Sequence, residues 1–452
     1  MRLEESELAI NGGQPVRLKP WLHNFTTGEE EKRAACEVLE GGHLSLFEGS
    51  YLPEPPFSFW GGPRVQQLEQ AWREYYGAKC AVSMNSATSC LYAAIGALGL
   101  GYGDEVIVSP YTMAAASTCT LIYGAIPIFA DVQLATGCLD AASVEEHITE
   151  RTRAIVVVHQ FGIPADMDAI MELARRHGVK VVEDCAQAHG AKYRGRSVGT
   201  IGDIGVFSLN VNKTIQTGEG GICLTNDEEL RYRLALIRNH GEAVVGDAGY
   251  ENITNIIGFN FRLTEIAAAI AMEQLKKLGR LNAIRHDHVL ALSETLSRYR
   301  FLVPPPRCSH AAFGDDGCST CESTYYLYPL RFLPRMSGMD RAQFVRMVNA
   351  EGVMLAEGYV RPIYLLPLYQ TRRALKHGYP FAAVENRGIR TNYHRGACPV
   401  AERLYFEQML INEHVRPPHT LDDVMDIARA VEKVAAFFGQ RVGTATLTGG
   451  EA

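Results

Sequence analysis

The sequence predicts an α/β protein, a mostly parallel central sheet flanked by helices with a smaller C-terminal α+β domain. Three observations carry this. Short apolar runs alternate with longer amphipathic ones from about residue 79 to 225, the signature of βαβ units. The run 156–158, Val-Val-Val, is apolar on both faces, as a parallel strand covered by helices on both sides must be. Glycines also stand where helices should end, at Gly101 and at Gly178 after His177.

In chain order, strands are expected at 80–84 (CAVSM), 105–110 (EVIVSP), 126–132 (IPIFADV), 153–159 (RAIVVVH) and 180–185 (KVVEDC). Helices are expected between them at 89–101, 143–148 and 166–179. IGVFS, ending at Ser208, reads as a further strand. After residue 225, DEELRYRLALIRNHG opens on acids and closes on bases and glycine, which suits a helix dipole. Residues 264–299 read as long helices bridging to a second domain, to which 325–333 contributes a strand and 343–353 and 421–438 contribute helices. This divides the chain into an N-terminal arm (1–26), a large domain (27–285), a small domain (286–442) and a tail (443–452). Residues 304–324, rich in Pro, Gly, Cys and Asp, read as an inserted loop.

Composition bounds the function. The 452 residues are 47% hydrophobic with a net charge of -7, enough for two or three domains. There is no Lys/Arg-rich block, so nucleic acid is not an expected partner. No apolar run approaches the roughly 18 residues of a membrane span, and MRLEESELAI is charged where a signal peptide needs an apolar stretch. A cytoplasmic protein is expected. The 11 cysteines are scattered and mostly in apolar company, so they read as small buried hydrophobes rather than a disulfide framework.

Ligands of open α/β sheets bind at the carboxyl ends of strands, and four candidate loops fall there. In MNSATS (84–89), small hydroxylated residues at a helix start suit a phosphate, although Ser86 or Thr88 could simply cap the helix. In VVEDCAQAHGA (181–191), Asp184 closes an apolar strand. A carboxylate buried there needs a cation, such as a protonated pyridine nitrogen or a structural ion-pair partner. Gln187 could reach a neighbouring hydroxyl or phenolate, and His189 could contact substrate, pack or donate. In FSLNVNKTIQTGEGG (207–221), Lys213 sits between an apolar strand and a glycine cluster. A lysine amine so placed can condense with an aldehyde, whereas a solvated loop lysine needs no such setting. The lysine precedes the glycines, the wrong order for a nucleotide-triphosphate loop. In GFNFRLTE (258–265), alternation puts Asn260 and Arg262 on one face. Phosphate at 86–88 and 208, a pyridine nitrogen at 184 and an aldehyde at 213 together describe pyridoxal phosphate.

At these residues the sequence resembles the DegT/StrS-type sugar aminotransferases, a fold-type-I family of pyridoxal phosphate enzymes. The similarity runs from GGQPVR (12–17) through 61–77, 85–113, 182–208 and 212–221 to GFNFRLTEIAAAI (258–270). The resemblance implies that Lys213 binds the cofactor aldehyde and shuttles a proton, that Asp184 pairs with the ring nitrogen, and that Gln187 contacts the phenolate oxygen. It further implies that Ser86, Ala87, Thr88 and Ser208 hold the phosphate, and that Asn260 reaches it from a second subunit of a homodimer. The reaction implied is transfer of an amino group from glutamate or glutamine to a keto-sugar, nucleotide-linked, or a keto-cyclitol. Where relatives carry an aromatic residue against the ring, this chain has Met113, so Tyr111 or Met113 must cover that face. A lysine at 213, where related dehydratases carry histidine, favours amino transfer. Dehydration, aromatic-amine formation or a catalytically silent regulator are the alternatives.

Arg361 and Tyr364, in GYVRPIYLLPLYQ (358–370), are candidate substrate contacts, with Arg361 also readable as a surface ion pair. The segments 43–47 and 51–62 could line an acceptor pocket or form interface core. No metal site is assigned: Cys308, Cys318 and Cys321, with His310 nearby, read as free thiols on a loop, and His159, His189 and His240 as packing or hydrogen-bonding groups.

Overall fold

The computed structural model describes residues 5–309, 318 and 320–438; the tail expected at 443–452 and His310 lie outside the described residues. Seven strands build the main sheet: β1 (Cys80–Met84), β2 (Glu105–Val108), β3 (Ile126–Phe129), β4 (Thr152–Val158), β5 (Lys180–Asp184), β8 (Ile204–Ser208) and β9 (Gly221–Thr225). Between β5 and β8 lies a hairpin of β6 (Lys192–Tyr193) and β7 (Arg196–Ser197). The sheet order is β1-β9-β8-β5-β4-β2-β3, with β3, β2, β4, β5 and β8 parallel and β9 antiparallel to both its neighbours. The expected α/β class with a mostly parallel sheet is what the chain adopts.

The reason lies in the strand sequences. Every residue of β1, β2, β3, β8 and β9 is buried, which requires helices on both faces. One layer packs on helix Ala87–Ala97 and helix Glu228–Arg238, and the other on helix Pro63–Tyr76 and helix Met167–His177. Side-chain caps start these helices where the sequence suggests: Ser86 accepts from the Ser89 amide, Asp166 from Ala169 and Asp227 from Glu229 and Leu230.

The long helices expected over 264–299 are one helix, Glu265–Leu296, so the boundary drawn at 285 falls inside an unbroken element. That helix packs against helix Glu29–Gly41 and helix Pro63–Tyr76 at one end and helix Leu421–Phe437 at the other. A second, four-stranded sheet follows, ordered β10 (Leu302–Val303), β11 (Tyr328–Phe332), β13 (Met409–Asn412) and β12 (Ala356–Glu357). Among the described residues no helix is long and apolar enough to cross a membrane.

The N-terminal arm packs on this second unit. Arg17 pairs with Asp423 at 3.0 Å and Asp426 at 2.9 Å and lies over the Trp21 ring. Glu351, fully buried, accepts from the amides of Ala9 and Val16 and from Lys433 Nζ.

Candidate active site

The carboxyl ends of β5 and β8, the start of β9 and the N-terminus of helix Ala87–Ala97 meet at one mouth of the sheet. Register makes the meeting possible: Ser208 pairs with Gly221, and Gly221 pairs with Met84. Glycine is required at 221, because a Cβ there would stand 2.5 Å from the Ala87 nitrogen. Ser208, Ala87 and Thr88 are thereby brought to one place. The first-turn amides of Ala87 and Thr88 have no intrahelical acceptor and point where an anion would sit. The Ser86 hydroxyl is already engaged as helix cap, accepting from the Ser89 amide at 3.0 Å.

Lys213 follows in the β8–β9 connection. Asn24 of the arm holds this loop, donating to the carbonyls of Val211 at 3.0 Å and Lys213 at 2.8 Å. Lys213 Nζ lies 4.5 Å from the centroid of the Tyr326 ring. Among the described residues no carboxylate or other acceptor holds that nitrogen. The side-chain nitrogen faces an aromatic ring and, among the described residues, is engaged by no hydrogen-bond acceptor.

Two neighbouring carboxylates behave in opposite ways. Glu183 is fully buried and accepts from His159 Nε2 at 3.0 Å and from the amides of Gly199, Ile201 and Gly202. Its pKa is lowered: burial raises it, but His159 and the amides outweigh that. Asp184, one residue on, accepts a single amide, from Ala186 at 3.0 Å. Burial raises its pKa, with the Ala186 amide and the charges of Lys213 and His159 opposing. Among the described residues no cation pairs directly with Asp184. It is a buried acid that lacks a partner.

Gln187 is oriented by its neighbours. Its Oε1 accepts from the Phe161 amide at 2.8 Å, which leaves Nε2 to donate, and Nε2 reaches the Tyr359 hydroxyl at 3.2 Å. Phe161 takes a left-handed φ of 59° in the turn after β4, an uncommon conformation for a non-glycine residue. Tyr359 packs edge-on to Phe161 and Tyr111.

The remaining sequence candidates divide. Tyr111 is 0% exposed and Met113 64% exposed, so it is Met113 that is open to a ligand. Asn260 is exposed; its Oδ1 accepts from Arg262 and its backbone carbonyl from Asn85. Arg361 is exposed, and among the described residues no carboxylate pairs with it. Two expected substrate contacts are placed otherwise. Tyr364 is buried against Phe129 and donates to Glu402 Oε1 at 2.6 Å, so its hydroxyl is tied into the core. His189 is 1% exposed, edge-on to Trp72 and Phe207; burial, then the Lys213 charge, push its pKa down to about 3 and keep it neutral. The aromatic stretch at 51–62 borders a separate cleft of about 320 Å³, lined by Tyr51, Phe57, Trp60 and Tyr232 among others, which shares no residue with the Lys213 site.

Sequence reading missed Asn24, Tyr326 and Tyr359. The first lies in an arm remote from any strand end, the second reads as part of a strand, and the third is one of several aromatics in its segment. All three arrive through long-range packing.

The model of the DegT/DnrJ/EryC1/StrS aminotransferase family matches residues 57–432. The L-glutamine:2-deoxy-scyllo-inosose aminotransferase of Streptomyces lividus is 35% identical over 438 residues, 94% of this chain and 97% of the relative. GDP-perosamine synthase of Caulobacter vibrioides is 37% identical over 308 residues, 68% of this chain and 79% of the relative. Among solved structures, an aminotransferase from Psychrobacter cryohalolentis superposes with a TM-score of 0.76 at 30% identity, covering 94% of this chain and 100% of that one.

Proposed function

The chain belongs to the DegT/DnrJ/EryC1/StrS aminotransferase family, and from that premise we propose that it transfers the amino group of glutamine or glutamate to the ring carbonyl of a keto-cyclitol or keto-sugar. The observation that carries this reading is Lys213: an amine unclaimed by any acceptor among the described residues, beside a buried acid without a partner. The relatives favour the substrate class, since one is named for glutamine and a keto-cyclitol and another for a nucleotide-linked amino sugar.

The residues fit pyridoxal 5'-phosphate. Asp184, its pKa raised by burial, would regain a low value opposite a protonated ring nitrogen. The close approach at Gly221 opens the amides of Ala87 and Thr88, with Ser208 Oγ, to a phosphate. Gln187 Nε2 donates toward a phenolate oxygen while the Phe161 amide holds its Oε1. When bound, the cofactor supplies an electron sink for the carbon that loses or gains the amine. Lys213 Nζ takes the proton from the donor's α-carbon and returns one to the acceptor's ring carbon, which requires the free amine in alternation with the ammonium. Met113 covers the exposed ring face. Arg361 receives the donor carboxylate, and Asn260, being exposed, reaches the phosphate of a second copy in a homodimer. Such an enzyme works on soluble metabolites, in keeping with a cytoplasmic location.

Borohydride reduction of the holoenzyme followed by peptide mapping tests the lysine: the label should fall on the peptide holding Lys213. Glutamine and glutamate should each be tried against keto-cyclitol and nucleotide-linked keto-sugar acceptors, following cofactor absorbance. A label on another lysine, or no spectral change with any donor, would overturn the reading.

A further inference from the structure

Two trios of metal-binding side chains occur among the described residues outside the Lys213 pair. One, of His159, Glu183 and Cys185, is already engaged. Glu183 is taken by His159 and three amides, and His159 Nδ1 accepts from the Ala165 amide at 3.0 Å. The other is not. Cys308, Cys318 and Cys321 come from two stretches of the insertion, yet their sulfur atoms all lie within 4.8 Å of one another.

We propose that Cys308, Cys318 and Cys321 bind a zinc ion that ties the two ends of the insertion together beside the β6–β7 hairpin. Thiolates about 2.3 Å from a tetrahedral zinc stand about 3.8 Å apart, so the observed trio needs adjustment of no more than about 1 Å. A disulfide needs sulfurs at about 2.05 Å and joins only two, so it gives no reason for the third to converge. The sulfurs also carry the N–H donors that metal thiolates use. The Arg194 amide donates to Cys321 Sγ at 3.2 Å, from a hairpin turn where Arg194 has φ of 49°. The amides of Thr320 and Cys321 face Cys318 across the C-x-x-C turn.

Binding removes three thiol protons, which pass to solvent, and forms three zinc–sulfur bonds. A water molecule takes the fourth position, as at zinc sites with three protein ligands. The clip has a mechanical consequence. The backbone of Glu322 exchanges hydrogen bonds with Lys192, the Gly195 amide donates to Thr320, and the Thr324 amide donates to Gly162 beside Phe161. Five residues after Cys321 stands Tyr326, whose ring faces Lys213 Nζ. Zinc would therefore fix the wall of the amine site without touching the reacting atoms.

The test uses the full chain with its cofactor bound, reduced, incubated with zinc chloride and desalted. About one zinc per chain is expected by mass spectrometry of the metal. Cys318 and Cys321, both partly exposed, should resist iodoacetamide together while exposed Cys36 reacts, and a strong chelator should make both reactive. Cys318→Ser and Cys321→Ser should each weaken zinc binding by at least about 100-fold, with Cys36→Ser unchanged. The proposal is overturned by a wild-type chain that retains no zinc, by alkylation of Cys318 and Cys321 indifferent to zinc, or by a disulfide between any two of the three in the unreduced protein. Because the alkylation arm uses the wild-type chain, a variant that fails to fold does not leave the question open.

Discussion

Two charged clusters in this molecule invite comparison. At the junction of the arm with the second unit, Arg17, Lys19, Asp423, Asp426 and Arg429 answer one another, and Glu351 is met by Lys433 and two amides. At the mouth of the main sheet, among the described residues, Lys213 Nζ meets an aromatic face and no acceptor, and Asp184 accepts one amide. The first arrangement is glue: buried charges are tolerable when each has a partner. The second is the arrangement of a candidate site, where polar groups at a strand end are left for a ligand to complete. Glu183 and Asp184 repeat the contrast within one dipeptide, one saturated by four donors and one left open.

The comparison can be broken most sharply at Lys213. Lys213→Ala should lower turnover by at least about a thousandfold, while the melting temperature moves by no more than about 2 °C; a large drop in melting temperature would put the lysine in the scaffold instead. Asp184→Asn should reduce turnover about 100- to 1,000-fold. Its effect on the cofactor-free protein has the opposite sign. A raised carboxyl pKa means the ionised form is disfavoured in the folded state at neutral pH, so the amide should hold or raise the melting temperature. Thermal melts and steady-state rates on the same preparation separate the two.

Glu183→Ala should invert that pattern. Removing the acceptor strands His159 and three amides, and a loss of about 3–5 kcal/mol of unfolding free energy is expected by denaturant titration. A variant as stable as the parent would erase the distinction between the two carboxylates.

Acid should loosen both regions. His189 and His414 are held near a pKa of about 3, in each case by burial first, with the Lys213 charge for His189 and the neighbouring His419 and Arg416 for His414. The unfolded chain takes up these protons near pH 6.5, so stability is complete above that value and declines as pH falls toward 3. Denaturant midpoints measured across this range check the direction. The smallest effect is expected at Lys19, whose side chain is 63% exposed: Lys19→Ala should cost less than about 1 kcal/mol and nothing at high salt.

Much of the scaffold was legible. Strand 80–84 was read to the residue, because a short, mostly apolar run bounded by Lys79 and Asn85 has few alternatives. Ser86 was readable as a cap, since it acts within three residues of itself, although the helix it caps starts at Ala87 rather than at 89. Lys213, Asp184 and Gln187 stood out because polar groups at the ends of buried strands need a reason. Tyr364 and His189 show what sequence chemistry leaves out: burial ties one hydroxyl to Glu402 and sets the other ring against Trp72 and Phe207.

The sequence by itself determined much of which segments became strands and helices and which polar residues stand at strand ends, since those depend on periodicity and on contacts a few residues apart. Only the tertiary structure decided that Tyr326 faces Lys213, that Asn24 holds the lysine loop, and that Cys308 joins Cys318 and Cys321. Each of these joins groups that loops and crossovers bring together, and no local pattern encodes where a crossover ends.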